Sequence, residues 1–270
     1  MIVPDVRTIS SRQNPLVRAF RTLADAPDPS GARLLLDGAH LVSDARRAGA
    51  GFDVVAVDTS YLDADTEEAR IARTLERDGV DVVAAAGRVF AALSPVTTPS
   101  GIVAIASRPT TALADICARR DAFVLAAVDV QDPGNVGSLL RAAEAGGATG
   151  ALVCGMSANP FSWKALRGSM GSALRLPIAN GMTAGEAVEC LRASGLRVVA
   201  ALARGGDDPD AIDWRGGVGL LLGGEGPGLS DEIVARCDAR VTIPMAPDVE
   251  SLNVAVAAAV LVYAARRQRV

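Results

Sequence analysis

Apolar and polar positions alternate along this chain in two successive systems. Residues 14 to 24, NPLVRAFRTLA, open on Asn-Pro and bring Leu16, Val17, Phe20 and Leu23 round at helical spacing, which predicts an amphipathic helix. A loop rich in Asp, Pro and Gly follows over 25–31. Short apolar runs at 34–36, 54–57, 80–85 and 102–106 then predict strands, with helices expected near 40–48, 65–78 and 88–93. That alternation predicts a small α/β unit. The proline-bearing break Arg108-Pro109-Thr110-Thr111 ends it, so the expected domains are 1–108 and 109–270.

The second system starts with a short helix and then Phe123–Val128, an unbroken apolar run of the kind a parallel strand buried on both faces requires. Further strands are expected at 151–154, 198–202, 218–222 and 240–243. Helices are expected over 135–145, 184–194 and 252–267, with turns and a short helix over 159–174. From Val254 to Ala265 the terminal helix is apolar all round, so two of its sides should be buried. One would face the sheet; the other would face either a second subunit or more of its own core.

Composition adds limits. With 270 residues, half of them apolar, the chain can bury a real core. A net charge of −4 speaks against holding nucleic acid by bulk electrostatics, although Arg7, Arg12, Arg18 and Arg21 against Asp5 and Asp25 leave room for a local basic edge or a solvated helix face. Cys117, Cys154, Cys190 and Cys237 are far apart and His40 is the only histidine, so no metal is expected and the thiols suit a reducing cytoplasm. Asp5 and Arg7 interrupt any leader-like pattern, and the longest apolar run is too short to cross a bilayer. The expectation is a soluble cytoplasmic protein with no membrane partner.

Three strand-end segments carry candidate chemistry. Asn135, Ser138 and Arg141 form a slanting row along one predicted helix, suited to a ribose and a phosphate; equally, Asn135 could cap the helix and Arg141 pair with an acid. Gly223-Gly224-Glu225-Gly226-Pro227-Gly228 can wrap a ligand closely and presents one carboxylate, or simply joins strand to helix. It has neither the dinucleotide fingerprint nor the Walker spacing. Ile243-Pro244-Met245 precedes Ser251-Leu252-Asn253, where Ser251 would cap the terminal helix.

Taken together, DPGNVGSLLRAAEAGGA, LLLGGEGPGLS and IPMAPDVESLNVAVAAA resemble the signature segments of the SpoU/TrmH family of RNA 2′-O-methyltransferases in the SPOUT superfamily. A fourth match runs from Asn159-Pro160-Phe161 through Lys164, Arg167, Ser169 and Gly171 to Leu176-Pro177. The resemblance covers about 121–265. More loosely, NPLVRAFRTL, DGAHLVSDA and TTPSGIVAI resemble the family's small α/β RNA-binding domain, with Asp37 where the family usually has Glu. The resemblance implies a C-terminal parallel-sheet domain with a deep trefoil knot, homodimers formed through that domain, and S-adenosyl-L-methionine as cofactor. It implies that Gly223, Gly224, Ile243, Met245 and Leu252 hold the cofactor. Arg141, Asn135, Glu225, Ser251 and Asn253 would form the catalytic set, with Arg141 acting near the partner chain's cofactor. The expected substrate is RNA, 23S ribosomal RNA above all. The alternatives are a tRNA 2′-O-methyltransferase and a non-catalytic RNA-binding or ribosome-assembly protein of the same fold.

Overall fold

The computed structural model describes residues 6–28, 31–62, 65–108 and 111–269. Pro109 and Thr110, at the expected domain break, and Asp5, from the expected charged edge, lie outside the described residues. The chain forms two compact units, Met1–Pro109 with Phe161–Arg175, and Thr110–Pro160 with Leu176–Val270.

The first unit contains β1 (Arg7–Ile9), α1 (Pro15–Asp25), β2 (Arg33–Asp37), α2 (Ala39–Arg47), β3 (Phe52–Asp58), α3 (Thr59–Leu62), α4 (Glu67–Arg77), β4 (Val82–Ala85), α5 (Gly87–Phe90) and β5 (Ile102–Ser107). Its sheet runs β1-β4-β3-β5-β2, with β5 antiparallel to both neighbours and the other pairs parallel. Asn14 caps α1 by accepting from the Leu16 N–H at 2.9 Å, and Val17, Phe20 and Leu23 are buried. The short β1 was not expected, because only Ile9 of its three residues is buried and no alternation can show.

The second unit contains α6 (Leu113–Cys117), β6 (Phe123–Val128), α7 (Pro133–Ala145) and β7 (Gly150–Cys154). The chain then supplies α8 (Trp163–Ser169) and α9 (Ser172–Arg175) to the first unit. There the Trp163 indole N–H donates to the Ala24 carbonyl at 3.0 Å, and Arg175 pairs with the buried Asp44 at 2.8 Å. The second unit resumes with β8 (Ile178–Met182), α10 (Ala184–Ala193), β9 (Arg197–Ala201), β10 (Val218–Gly223), α11 (Asp231–Ala235), β11 (Ala239–Val241) and α12 (Val254–Arg269).

All pairs of its six-stranded sheet, β11-β9-β10-β6-β7-β8, are parallel. The central β6 is buried at every residue, as its apolar run predicted. β8 escaped the pattern because it is an edge strand with one buried residue and a glycine inside it. β11 stops at Val241, since Thr242 turns its N–H to the Asp207 carbonyl at 2.9 Å. α12 packs on α7 and β10, while Val256, Val260 and Tyr263 remain outside. Its end is clamped by Arg269, which donates to the carbonyls of Trp214 (2.5 Å), Gly216 (2.6 Å) and Asp121 and lies over the Phe123 ring. Among the described residues, no helix is long and apolar enough to cross a membrane.

Candidate functional site

From β6 the chain steps outward through β7 and β8; on the other side lie β10, β9 and β11. Strand order therefore reverses between β6 and β10, the position where open α/β sheets hold ligands beyond the strands' carboxyl ends. Val128 is level with Gly223 in the ladder, so the loops after the two strands start side by side.

The β10 loop is held close. A Cβ on Gly224 would lie 2.0 Å from the Asp129 carbonyl oxygen, so only glycine allows the two loops to meet there. Gly226 and Gly228, with φ of 102° and 69°, turn the loop back until Gly228 touches Gly223. Between this loop, the segment after β11 and the start of α12 lies a cavity of about 360 Å³. Gly223, Gly224, Ile243, Met245 and Leu252 line it, as do Glu225, Ser251 and Asn253.

A chain of side-chain hydrogen bonds orders its polar edge. Asn253, not Ser251, caps α12: its Oδ1 accepts from the N–H groups of Ala255 (2.9 Å) and Val256 (3.4 Å). That fixes which end of the amide is oxygen, so the Nδ2 faces outward and donates to Asn135 Oδ1 at 3.0 Å. Asn135 Nδ2 in turn donates to Glu225 Oε1. Each amide has one orientation that satisfies both its neighbours, and the ionised carboxylate is a fitting end because it only accepts. Asn135 is itself not a cap. α7 starts two residues earlier at Pro133, and Asp132 Oδ1 takes the Asn135 N–H at 2.8 Å.

Arg141 stands apart from this chain. It is exposed, does not line the cavity, and makes no hydrogen bond or ion pair among the described residues. Six residues at about 1.5 Å each put it roughly 9 Å along α7 from Asn135 and on a different face. The acid pairing considered for it is therefore absent among the described residues.

Other cavity residues gave no sequence signal. Ala201, Leu202 and Ala203 at the end of β9, with Leu222, Val241, Val254, Ala257 and Leu261, form its apolar walls. They read as ordinary strand-end and helix residues, and only the sheet order brings β9 and α12 to the same place.

The sequence profile of the SpoU rRNA Methylase family matches residues 122–263, slightly more than half of the chain. The chain belongs to the SpoU rRNA methylase family. It is 32% identical over 269 residues to an uncharacterized tRNA/rRNA methyltransferase of Synechocystis, covering 99% of this chain and 96% of that one. It is 30% identical over 260 residues to the 23S rRNA (guanosine(2553)-2′-O)-methyltransferase RlmP of Bacillus subtilis, covering 96% and 98%. The AdoMet-bound rRNA methyltransferase of Sinorhizobium meliloti superposes with a TM-score of 0.86 at 29% identity, covering 98% and 99%. The SpoU match spans β6 to most of α12, so it includes every residue of the Glu225–Asn135–Asn253 chain.

Two of this SpoU protein's thiols, Cys154 at the carboxyl end of β7 and Cys237 just before β11 at the opposite end of the sheet, are held protonated. Burial, and then the neighbouring Asp129 carboxylate, push Cys154 up to about 12. Burial, and then Asp238, push Cys237 up to about 11. Neither is poised as a nucleophile at neutral pH.

Proposed function

We propose that this SpoU protein is an S-adenosyl-L-methionine-dependent RNA methyltransferase that methylates a ribose 2′-hydroxyl, with 23S ribosomal RNA as substrate. The observation that carries the reading is the Glu225–Asn135–Asn253 chain on the edge of a cavity at the strand-order reversal. The cavity fits the cofactor in size and in chemistry. Its volume lies within the usual range for small-molecule sites of about 300–1,000 Å³. Leu222, Ile243, Leu252 and Leu261 offer apolar walls to a nucleoside, and a Cβ at Gly226 or Gly228 would meet nothing within 4 Å. Glu225 is the only ionisable residue in the lining, and its negative charge suits a sulfonium.

When bound, S-adenosyl-L-methionine would supply an electrophilic methyl group for the ribose oxygen. The protein's share is alignment and the fate of one proton. Gly223, Gly224, Ile243, Met245 and Leu252 hold the donor. Asn253 and Asn135 fix the Glu225 carboxylate, which is the natural proton acceptor, and Ser251 adds a hydroxyl to the same rim. Arg141 stabilises the developing alkoxide and the neighbouring phosphate; a guanidinium is too weak an acid to serve as the base.

Because Arg141 lies off its own chain's cavity, we propose that it serves the site of a second copy in a homodimer. Support comes from α12, where Val256, Val260 and Tyr263, at 50%, 42% and 48% exposure, form an i, i+4, i+7 apolar stripe. The finer architecture belongs to the same reading. A deep trefoil knot is formed as the 242–253 segment passes the β10 loop, a methyltransferase domain occupies 109–270, and an RNA-binding domain occupies 1–108. The exposed Arg12, Arg18 and Arg21 support that last assignment. A cytoplasmic setting agrees with the four free cysteines and with a ribosomal substrate.

Transfer of labelled methyl groups from S-adenosyl-L-methionine to total RNA, followed by mapping of 2′-O-methyl stops, tests the proposal. Label in 23S RNA at a single ribose is expected. Label confined to tRNA overturns the substrate, and absence of cofactor binding by calorimetry overturns the enzyme.

A further inference from the structure

Asp129 is the first residue after β6 and adopts φ of 56°, one of two non-glycine residues with positive φ among the described residues. Asp and Asn are among the few L-residues that tolerate this region. Its carboxylate Oδ1 accepts the Met156 N–H at 2.7 Å, and its own N–H donates to the Cys154 carbonyl at 3.2 Å. Both bonds reach the end of β7. On the opposite side the Asp129 carbonyl is the wall against which Gly224 is pressed, and the Gly224 N–H donates to Val128 at 2.7 Å. A Cβ on Gly155 would lie 2.2 Å from Asp129 Oδ1, so that side has no slack either. The next residue, Val130, is bound to the same β7 loop through Ser157 Oγ (3.0 Å) and the Ala158 N–H (2.8 Å).

The ends of β6, β7 and β10 thus converge on one left-handed aspartate. Two of the three loops leaving this junction carry the residues that must meet: Asn135, three residues beyond the Asp132 cap, and Glu225, next to Gly224. We infer that Asp129 is a positioning residue whose carboxylate, by holding the Met156 N–H, sets the height of the β6 loop and so the meeting of Asn135 with Glu225. This rests on the proposed methyl transfer for its consequence in catalysis, but not for its geometry.

The test uses the full-length protein. Asp129→Gly keeps the backbone conformation and removes only the carboxylate; Asp129→Asn keeps both the conformation and an acceptor oxygen. The glycine variant is expected to lose about 10- to 100-fold in kcat, the scale of a small misplacement of reacting groups, with little change in cofactor affinity. The asparagine variant is expected to recover most of that loss. If strain relief were the whole effect, glycine would perform as well as the parent, and that result overturns the proposal; so does an asparagine variant no better than glycine. An independent readout is the Asn135 side-chain amide in asparagine-labelled protein, whose two proton signals should be well separated in the parent and draw together in Asp129→Gly. Unchanged Asn135 signals overturn the inference even if no methyl transfer is found for the parent, which would instead refute the proposed function. Should Asp129→Gly fail to fold, Asp129→Ser, whose shorter side chain cannot reach as far, is read by the same two criteria.

Discussion

Replacing Asn253 by aspartate separates two roles that the structure places on one side chain. Its oxygen caps α12, and its nitrogen donates to Asn135. Aspartate caps helices about as well as asparagine, and its charge interacts favourably with the helix N-terminus by roughly 0.3–1 kcal/mol. The fold should therefore be retained. At the other end, a second carboxylate oxygen would face Asn135 Oδ1, acceptor against acceptor. Turning the Asn135 amide over does not help, because its oxygen would then face Glu225. The polar chain is broken in either orientation, and kcat should fall about 10- to 100-fold, as expected for displaced catalytic groups. Asn253→Ala removes both roles. Losing the cap costs about 1 kcal/mol and the exposed hydrogen bond to Asn135 up to about another 1, which together lower Tm by roughly 4–8 °C. The assays are thermal unfolding and single-turnover methyl transfer on mapped RNA. A folded Asn253→Asp variant with parental turnover would falsify the role of the chain; one as unstable as Asn253→Ala would refute the capping argument.

Other outcomes follow from the same structure. Arg269→Ala should destabilise the second unit by about 2–3 kcal/mol, because three carbonyls lose a charged donor, and urea unfolding measures it. Burial raises the Asp37 carboxyl above its ordinary range, despite hydrogen bonds from Ser94 and Ser100 and the Arg167 charge that lower it. A raised folded-state value means the ionised group costs stability above it, and that cost fades as pH falls to the unfolded value near 3.9. Asp37→Asn should accordingly gain on the parent at pH 7 and lose that advantage by about pH 4, read as the difference between the two denaturation curves; an advantage independent of pH would refute the linkage. Val260→Arg, placed in the exposed stripe of α12, should give monomers in analytical ultracentrifugation while leaving the monomer folded. A dimer unaffected by that change would show that the stripe is not the contact.

Much of this was legible without coordinates. Runs such as Phe123–Val128 and Val218–Leu222 are short, apolar and bounded by turn residues, as buried parallel strands require, and the order of the polar loops after them carried the family resemblance. Local chemistry that depends on one turn of chain was also readable, as with Asn14 before Pro15. Caps misplaced by a residue or two were less so: Ser251 and Asn253 both satisfy the cap preference, and only the direction of the arriving chain selects Asn253. β1 and β8 were silent because edge strands bury too few side chains to leave a period.

Long-range pairing decided the rest. The GGEGPG turn and the DPGN helix start are ninety residues apart, and nothing local says that Gly223 stands level with Val128. Parallel strands meet only after long crossovers, so their register is set by the packing of the whole sheet. The same packing sent Phe161–Arg175 to the first unit and left Arg141 outside the cavity of its own chain. Sequence alone therefore determined which groups are available for the chemistry. The sheet determined which of them share a site, because the hydrogen bonds from Asn253 to Asn135 and from Asn135 to Glu225 exist only once three distant loops are brought to the same strand ends.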